Sequence, residues 1–391
     1  MAAVVAVSSY WWDWGNLLFR WLHVIAGIAW IGSSFYFIAL DNHLRPPAEE
    51  RDSDRGVGGE TWEIHGGGFY RIEKFTVAPA TLPEPLHWFK WEAYTTWLSG
   101  FALFIVVYYV HASTFLVDTT VADISAWQAI AISVGGLALA WVVYDALCRL
   151  VRSELVLAAA VFAFVAASAW GAGELLAPRA AYVQVGAMVG TMMVGNVFFV
   201  IIPAHWELVR AKQAGREPDP AANERGKTRS VHNNYLTLPV VFAMLSNHFP
   251  FTYGHVHGWL ILVALMAIGA WVRHFFNLRH AGRTVWWIPA SAGAGIVLLA
   301  VAIQPSTTVV RGSSAPVPFA TAQAIVRQRC VPCHAGASAP AGVRLTTRAE
   351  IEVRAGDIQR LAVDSRAMPL GNATHMTQAE RDLLAGWLAS R

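Results

Sequence analysis

The chain has 391 residues, of which 55% are hydrophobic and only 14% charged, with a formal net charge of +3. Soluble domains carry about 25% charged residues, so this composition excludes an ordinary water-soluble enzyme and fits many membrane spans. The small net charge gives no footing for nucleic acid, and the basic residues fall between apolar runs, where they report topology.

In chain order, the start MAAVVAVSSYWWDWGN has no basic leader region, so the first apolar run is expected to serve as both export signal and permanent span. Apolar segments of spanning length lie near 17–40, 94–117, 124–147, 154–176, 182–208, 235–250, 255–276 and 284–304. A span needs about 20 residues at a rise of 1.5 Å each. The segment at 235–250 is the weakest, being short and carrying Pro239. The intervening loops alternate sharply in charge. Those at 41–93, after the third span, at 209–233 and after the seventh span hold 17 basic residues, counting Arg229 and Arg273 among them, and the opposite loops hold only Arg179. The positive-inside rule then places the basic loops in the cytoplasm and both termini outside.

Ionisable residues inside a span are costly and mark functional sites. The first span carries Arg20 and His23, and Gly27 and Ser34 continue the same face at helical spacing. His111, His248, His255 and His257 end or begin other spans at the same outer level. With His23 they form a layer suited to a metal, a b-type haem or a substrate. A second group lies toward the cytoplasm. It comprises Gly186, Gly190, Asn196, Pro203, His205 and Glu207 of the fifth span, His232, Asn233, Asn234 and Tyr235 before the sixth, and the loop Trp62 to Glu73 with His65 and Arg71. The Gly66–Gly68 triplet allows either close backbone approach to a ligand or a plain turn. Cys148, alone at the end of an apolar run, reads as packing.

The Ser- and Pro-rich stretch 305–318 reads as a flexible linker. Beyond it the chain turns polar and carries Cys330-Val-Pro-Cys333-His334. C-x-x-C alone also fits a redox dithiol or half a zinc site. Here a His follows at once, no second Cys pair exists, and Met368 supplies a soft sixth ligand in SRAMPLGN, with His375 as the rival. The pattern marks attachment of one covalent haem c, with His334 and Met368 on the iron. Thr377 is expected to cap a final helix, with Glu380 as its capping-box partner. No Walker, dinucleotide or G-x-S-x-G signature stands in a fitting context, which points away from ATP and NAD chemistry.

The fold class expected is all-α. Residues 1–304 form a polytopic membrane bundle of eight transmembrane helices, 305–318 a linker, and 319–391 a small soluble cytochrome c domain. The stretches WWDWGNLLFRWLHVIAGIAWIGSSFYFIALDNHL, GGETWEIHGGGFYRIEKF and PAHWELV, with the closing CVPCH and MPLGNATHMT, resemble the membrane-bound bacterial urate oxidase family. The resemblance runs over 10–391 and is most specific in its N-terminal part. It implies hydroxylation of urate to 5-hydroxyisourate in purine catabolism. It also implies electrons leaving through haem c to a terminal oxidase or soluble cytochrome c, without release of hydrogen peroxide. It fixes no catalytic residues. By chemistry, His23 as base or metal ligand and Arg20 as anion holder, with His111, His255 and His257, form the expected outer site. Arg71, His65, His205 and His232 form the inner alternative, which needs a haem b to bridge the membrane. A rival function is a non-catalytic subunit relaying quinol electrons through haem b to haem c.

Overall fold

A computed structural model describes residues 2–304, 317–336 and 339–391. The linker expected at 305–318 therefore lies outside the described residues except for its last two.

Every apolar segment found in the sequence is helical. Helix α1 runs Ala2–His43. A segment Trp91–Phe104 (α2) continues through a wider π turn at Ile105–Tyr109. Helices α3 (Ala126–Leu150) and α4 (Glu154–Leu175) start on Ser125 and Ser153, whose side chains accept from backbone N–H groups of the first turn. Helix α5 (Pro178–Asn196) begins with Pro at its first position and passes through a π turn at Val197–Ile201 into α6 (Ile202–Gln213). Helix α7 (Pro220–Leu245) is capped by Asp219, and α8 (Gly258–His280) and α9 (Trp287–Ala302) complete the bundle.

Among the described residues, five helices are long and apolar enough to cross a membrane: those at Tyr10–His43, Ala126–Leu150, Glu154–Leu175, Pro178–Gln213 and Gly258–His280. The expected eight differ from this for local reasons. The second segment is broken at the π turn, the sixth is the apolar end of a helix whose first half is polar, and α9 is 16 residues long.

Helix α5 is the hub. Ala180, Tyr182, Val185, Val189, Met192 and Met193 are all buried in the main core, and α3, α4, α7 and α8 pack around it. A Cβ on Gly186 would lie 2.8 Å from Ala243 Cβ, so the absence of a side chain there lets α5 and α7 approach. Trp127, Leu139, Leu155, Phe162, Trp170, Leu298 and Val301 face outward instead. An exposed apolar girdle of this extent is what a bilayer covers.

Two features depart from a plain bundle. The loop after α1 holds an antiparallel hairpin, β1 (Val57–His65) and β2 (Gly68–Phe75). Gly66 and Gly67 make its turn at φ +58° and +82°, a left-handed pair that matches the twist of the strands. The glycine triplet is thus a turn, with nothing within 4 Å of a Cβ on either turn glycine. At the opposite end the C-terminal segment packs on its own apolar cluster, built from α10 (Phe319–Arg329), α11 (Arg348–Val353) and α12 (Gln378–Ala389). Thr377 and Glu380 form the expected capping box of α12.

This segment sits against the bundle through the loop around Met368. A Cβ on Gly254 would lie 1.9 Å from the Ser365 carbonyl oxygen, and one on Gly371 would lie 2.5 Å from that of Thr114. Ala367 packs on the main core. Replacing Gly254 by Ala is expected to push the two apart. Hydrogen exchange should rise over 365–371 while the membrane helices keep their protection, and unchanged exchange there would count against this docking.

Candidate functional site

The first span presents His23 and Gly27 to α2, as their helical spacing implies. The His23 Nδ1 lies 2.9 Å from the Thr96 carbonyl oxygen. A Cβ on Gly100 would stand 2.7 Å from the His23 ring, so that glycine makes room for it. Arg20, one turn away, is exposed and donates to Asn16 Oδ1 at 2.9 Å. His111 is exposed and meets Trp12 edge-on at 6.4 Å. His248 and His257 are exposed, and the His257 backbone N–H donates to the His255 Nδ1. Among the described residues, no three His, Cys, Asp or Glu side chains converge as a metal site would require.

The inner group is split. Arg71 binds Asp52 and Glu60 in the hairpin, with Glu73 beside them, and this charge-assisted contact holds the Asp52 carboxyl below the usual carboxylate range. His65 is exposed near the hairpin turn. His205 is exposed beside Trp88, and Glu207 pairs with Arg216 at 2.6 Å. None of these joins His232.

His232 belongs to a network that the sequence only half revealed. Arg229, counted above as a loop charge, is buried in α7. It donates to Asp145 Oδ1 at 2.6 Å and Asn196 Oδ1 at 2.9 Å. Asn196 donates onward to Asn233 Oδ1 at 2.8 Å and to the Tyr144 hydroxyl, which lies 2.8 Å from His232 Nδ1. Cys148 packs against the main core as expected, and its Sγ stands 3.9 Å from the same nitrogen at the edge of the network. The chain satisfies this guanidinium from α3, α5 and α7 together.

Arg273 is buried in the same way. It too was counted as a loop charge, yet it lies in α8 and is 4% exposed. Its Nε donates to Asn234 Oδ1 at 2.8 Å, and its guanidinium covers the Phe35 ring at 3.9 Å. Beside it, Tyr235 and His274 lie 2.7 Å apart, and Trp271 stacks on His274. The signal in the sequence was the spacing Arg229–Asn233 and Arg273–Asn277. Each is an i,i+4 pair that puts charge and amide on one helix face.

At the C-terminal end, Cys330 and Cys333 are unlinked to one another. Burial pushes the Cys330 thiol up to about 11. His334 Nδ1 lies 3.0 Å from the Val343 carbonyl oxygen. A proton held there leaves Nε2 as the free lone pair, the state an iron ligand needs. The Met368 loop is pinned by its backbone N–H to Leu361 O at 2.9 Å and by Arg381, which donates to the Met368 carbonyl at 2.8 Å. Cys330 and Met368 both border the C-terminal apolar cluster. These residues fit a covalent haem in chemistry and support.

The Arg229–Asp145 pair gives a direct stability test. Asp145→Ala leaves a buried guanidinium without its carboxylate, at an expected cost of about 3–5 kcal/mol. Thermal unfolding in detergent should show the double variant Asp145→Leu/Arg229→Met regaining much of that loss. Additive losses would remove the pair from the account.

A family model described as urate oxidase N-terminal matches residues 9–304, which is the bundle and its hairpin. No curated protein matches the chain, and no solved structure does. A match over more than half of its length assigns this chain to the urate oxidase N-terminal family.

Proposed function

We propose that this protein oxidises urate to 5-hydroxyisourate within the membrane and passes the electrons to haem c on its C-terminal domain. The observation that carries this is the urate oxidase match over 9–304 in the same chain as a C-x-x-C-H motif. The overall change is urate plus water giving 5-hydroxyisourate, two electrons and two protons. Cys330 and Cys333 would hold the haem through thioether bonds, with His334 and Met368 as axial ligands. When bound, the haem supplies a one-electron acceptor that delivers to a terminal oxidase or soluble cytochrome c.

The chain's own residues have three tasks: hold a planar anion, take its proton, and keep water access controlled. The outer arrangement gives these to Arg20, His23, His111, His255 and His257. With Arg71, His65 and His205 held apart from His232, a revised inner arrangement gives them to the buried polar residues of α7 and α8. Geometry favours the inner one, because Arg20 points to Asn16 at an exposed position while charged and amide groups converge inside. The inner arrangement requires a bridging redox centre such as haem b, since the hydrocarbon core is about 30 Å thick. The loop charges support a periplasmic position for the C-terminal domain at a bacterial inner membrane.

The decisive experiment adds urate anaerobically to the purified full chain and follows haem absorbance. Urate-dependent reduction without quinol is expected. Reduction only by quinol would favour the electron-relay reading instead. Cys330→Ser with Cys333→Ser should abolish covalent haem staining, and a stained band in that variant would sink the attachment. His23→Ala separates the two arrangements. Retained urate-driven reduction is expected, and its loss, with dithionite still reducing the haem, would return the reaction to the outer layer.

The orientation has its own check. A reporter inserted at Gly215, which turns at φ +66° with open space around it, should behave as cytoplasmic. Periplasmic phosphatase activity from that insertion would overturn the topology.

A further inference from the structure

The two buried arginines of the bundle differ in one respect. Arg229 has a carboxylate, and no fully buried polar side-chain atom of its network is left without a partner. Arg273 has none within ion-pair distance among the described residues, although it is the more buried of the two. An unneutralised guanidinium removed from water is expensive, and more so where hydrocarbon surrounds the bundle. Its Nη2 is buried with no hydrogen-bond partner. So is the Nδ2 of Asn234, the amide that accepts from its Nε, and Asn234 has no exposed surface at all. One helical turn on, the Asn277 Oδ1 is likewise buried and unpartnered.

Two of these orphans belong to one contact, and helical spacing brings the third to the same face. The hydrogen bond at 2.8 Å ties Asn234 to Arg273, so their free donors flank the same spot. Asn277 follows Arg273 by four residues on α8, which puts its amide over the same face. Phe35 covers the flat face of the guanidinium at 3.9 Å and leaves its edge to bond in plane. Arg273 stands seven residues before the end of α8 at His280, about 10 Å along the axis, at the end that carries the hairpin and the basic loops.

We infer that Arg273, Asn234, Asn277 and Phe35 form the binding site for the substrate, a planar oxopurine monoanion. This rests on the urate reading above. The anion supplies the negative charge that Arg273 lacks. Its carbonyl or deprotonated ring edge accepts from Arg273 Nη2 and Asn234 Nδ2, and one of its ring N–H groups donates to Asn277 Oδ1. The flat Phe35 ring limits the slot to planar ligands. Neutral oxopurines of the same shape leave the guanidinium unneutralised and bind more weakly. The paired Tyr235 and His274 hold α7 and α8 together next to the slot and fix the distance between its donors.

The test uses the full chain in nanodiscs with its haem reduced beforehand by dithionite, so that radiolabelled urate binds without turnover. Arg273→Gln should weaken binding by roughly 30-fold or more, the loss expected when one partner of a buried charge contact is truncated. Asn234→Asp keeps the shape, pairs the guanidinium internally and guards against misfolding. It should be at least as heat-stable as wild type and still lose urate binding by a similar factor. Arg279→Gln, exposed on the same helix, should bind as wild type does. If Asn234→Asp and Arg273→Gln keep wild-type affinity while wild type still reduces its haem with urate, the site is refuted and the function stands. If wild type neither binds urate nor reduces its haem with it, the functional reading has failed and the site falls with it.

Discussion

A guanidinium inside a bundle wrapped in apolar side chains has to be compensated, and most of the polar architecture of this protein follows from that. Arg229 draws Asp145 from α3 and Asn196 from α5. Asn196 then needs its own partners and recruits Tyr144 and Asn233, and Tyr144 in turn engages His232. A chain of hydrogen bonds thereby locks three helices at one level. Each member is satisfied because an orphan in a low dielectric costs more than the bond it would make is worth.

Against that background Arg273 stands out by what it lacks. The bundle holds it by one amide and one aromatic face and, among the described residues, gives it no carboxylate within ion-pair distance. Proteins tolerate such frustration where a ligand relieves it, since a site fully satisfied on its own has nothing to offer a substrate. The hairpin makes the converse point. Its Arg71 is surrounded by Asp52, Glu60 and Glu73, so it is spent on structure and has no charge left for an anion.

At the other end the chain solves a different problem, which is to seat its C-terminal segment against the bundle. The loop that presents Met368 is held from within by Arg381 and Leu361 and from below by the loop at Thr114 and the turn at Gly254. Glycine at 254 and 371 permits backbone contact in place of side-chain contact. A side chain at either position would occupy the space the facing carbonyl now fills. The same loop thus forms one wall of the C-terminal apolar cluster and the seat of the domain on the bundle.

The sequence by itself determined what depends on composition and local order. Its apolar runs fell on helices, and Thr377 with Glu380 marked the start of α12 because capping is a matter of four adjacent residues. The Cys330-x-x-Cys333-His334 motif is likewise a matter of adjacent residues. The sequence misjudged Arg229 and Arg273, which stand at the ends of apolar runs and so read as loop charges. It also missed the hairpin, whose strands mix apolar and charged side chains in a stretch rich in basic residues. Only the tertiary structure decided which of the inner residues meet. His232 and Asn196 come together, while Arg71 and His205 go elsewhere, because helix packing around α5 sets those distances. Whether an arginine is paired is likewise decided by another helix. Asp145 of α3 lies 84 positions from Arg229, and no periodicity in either segment announces their contact.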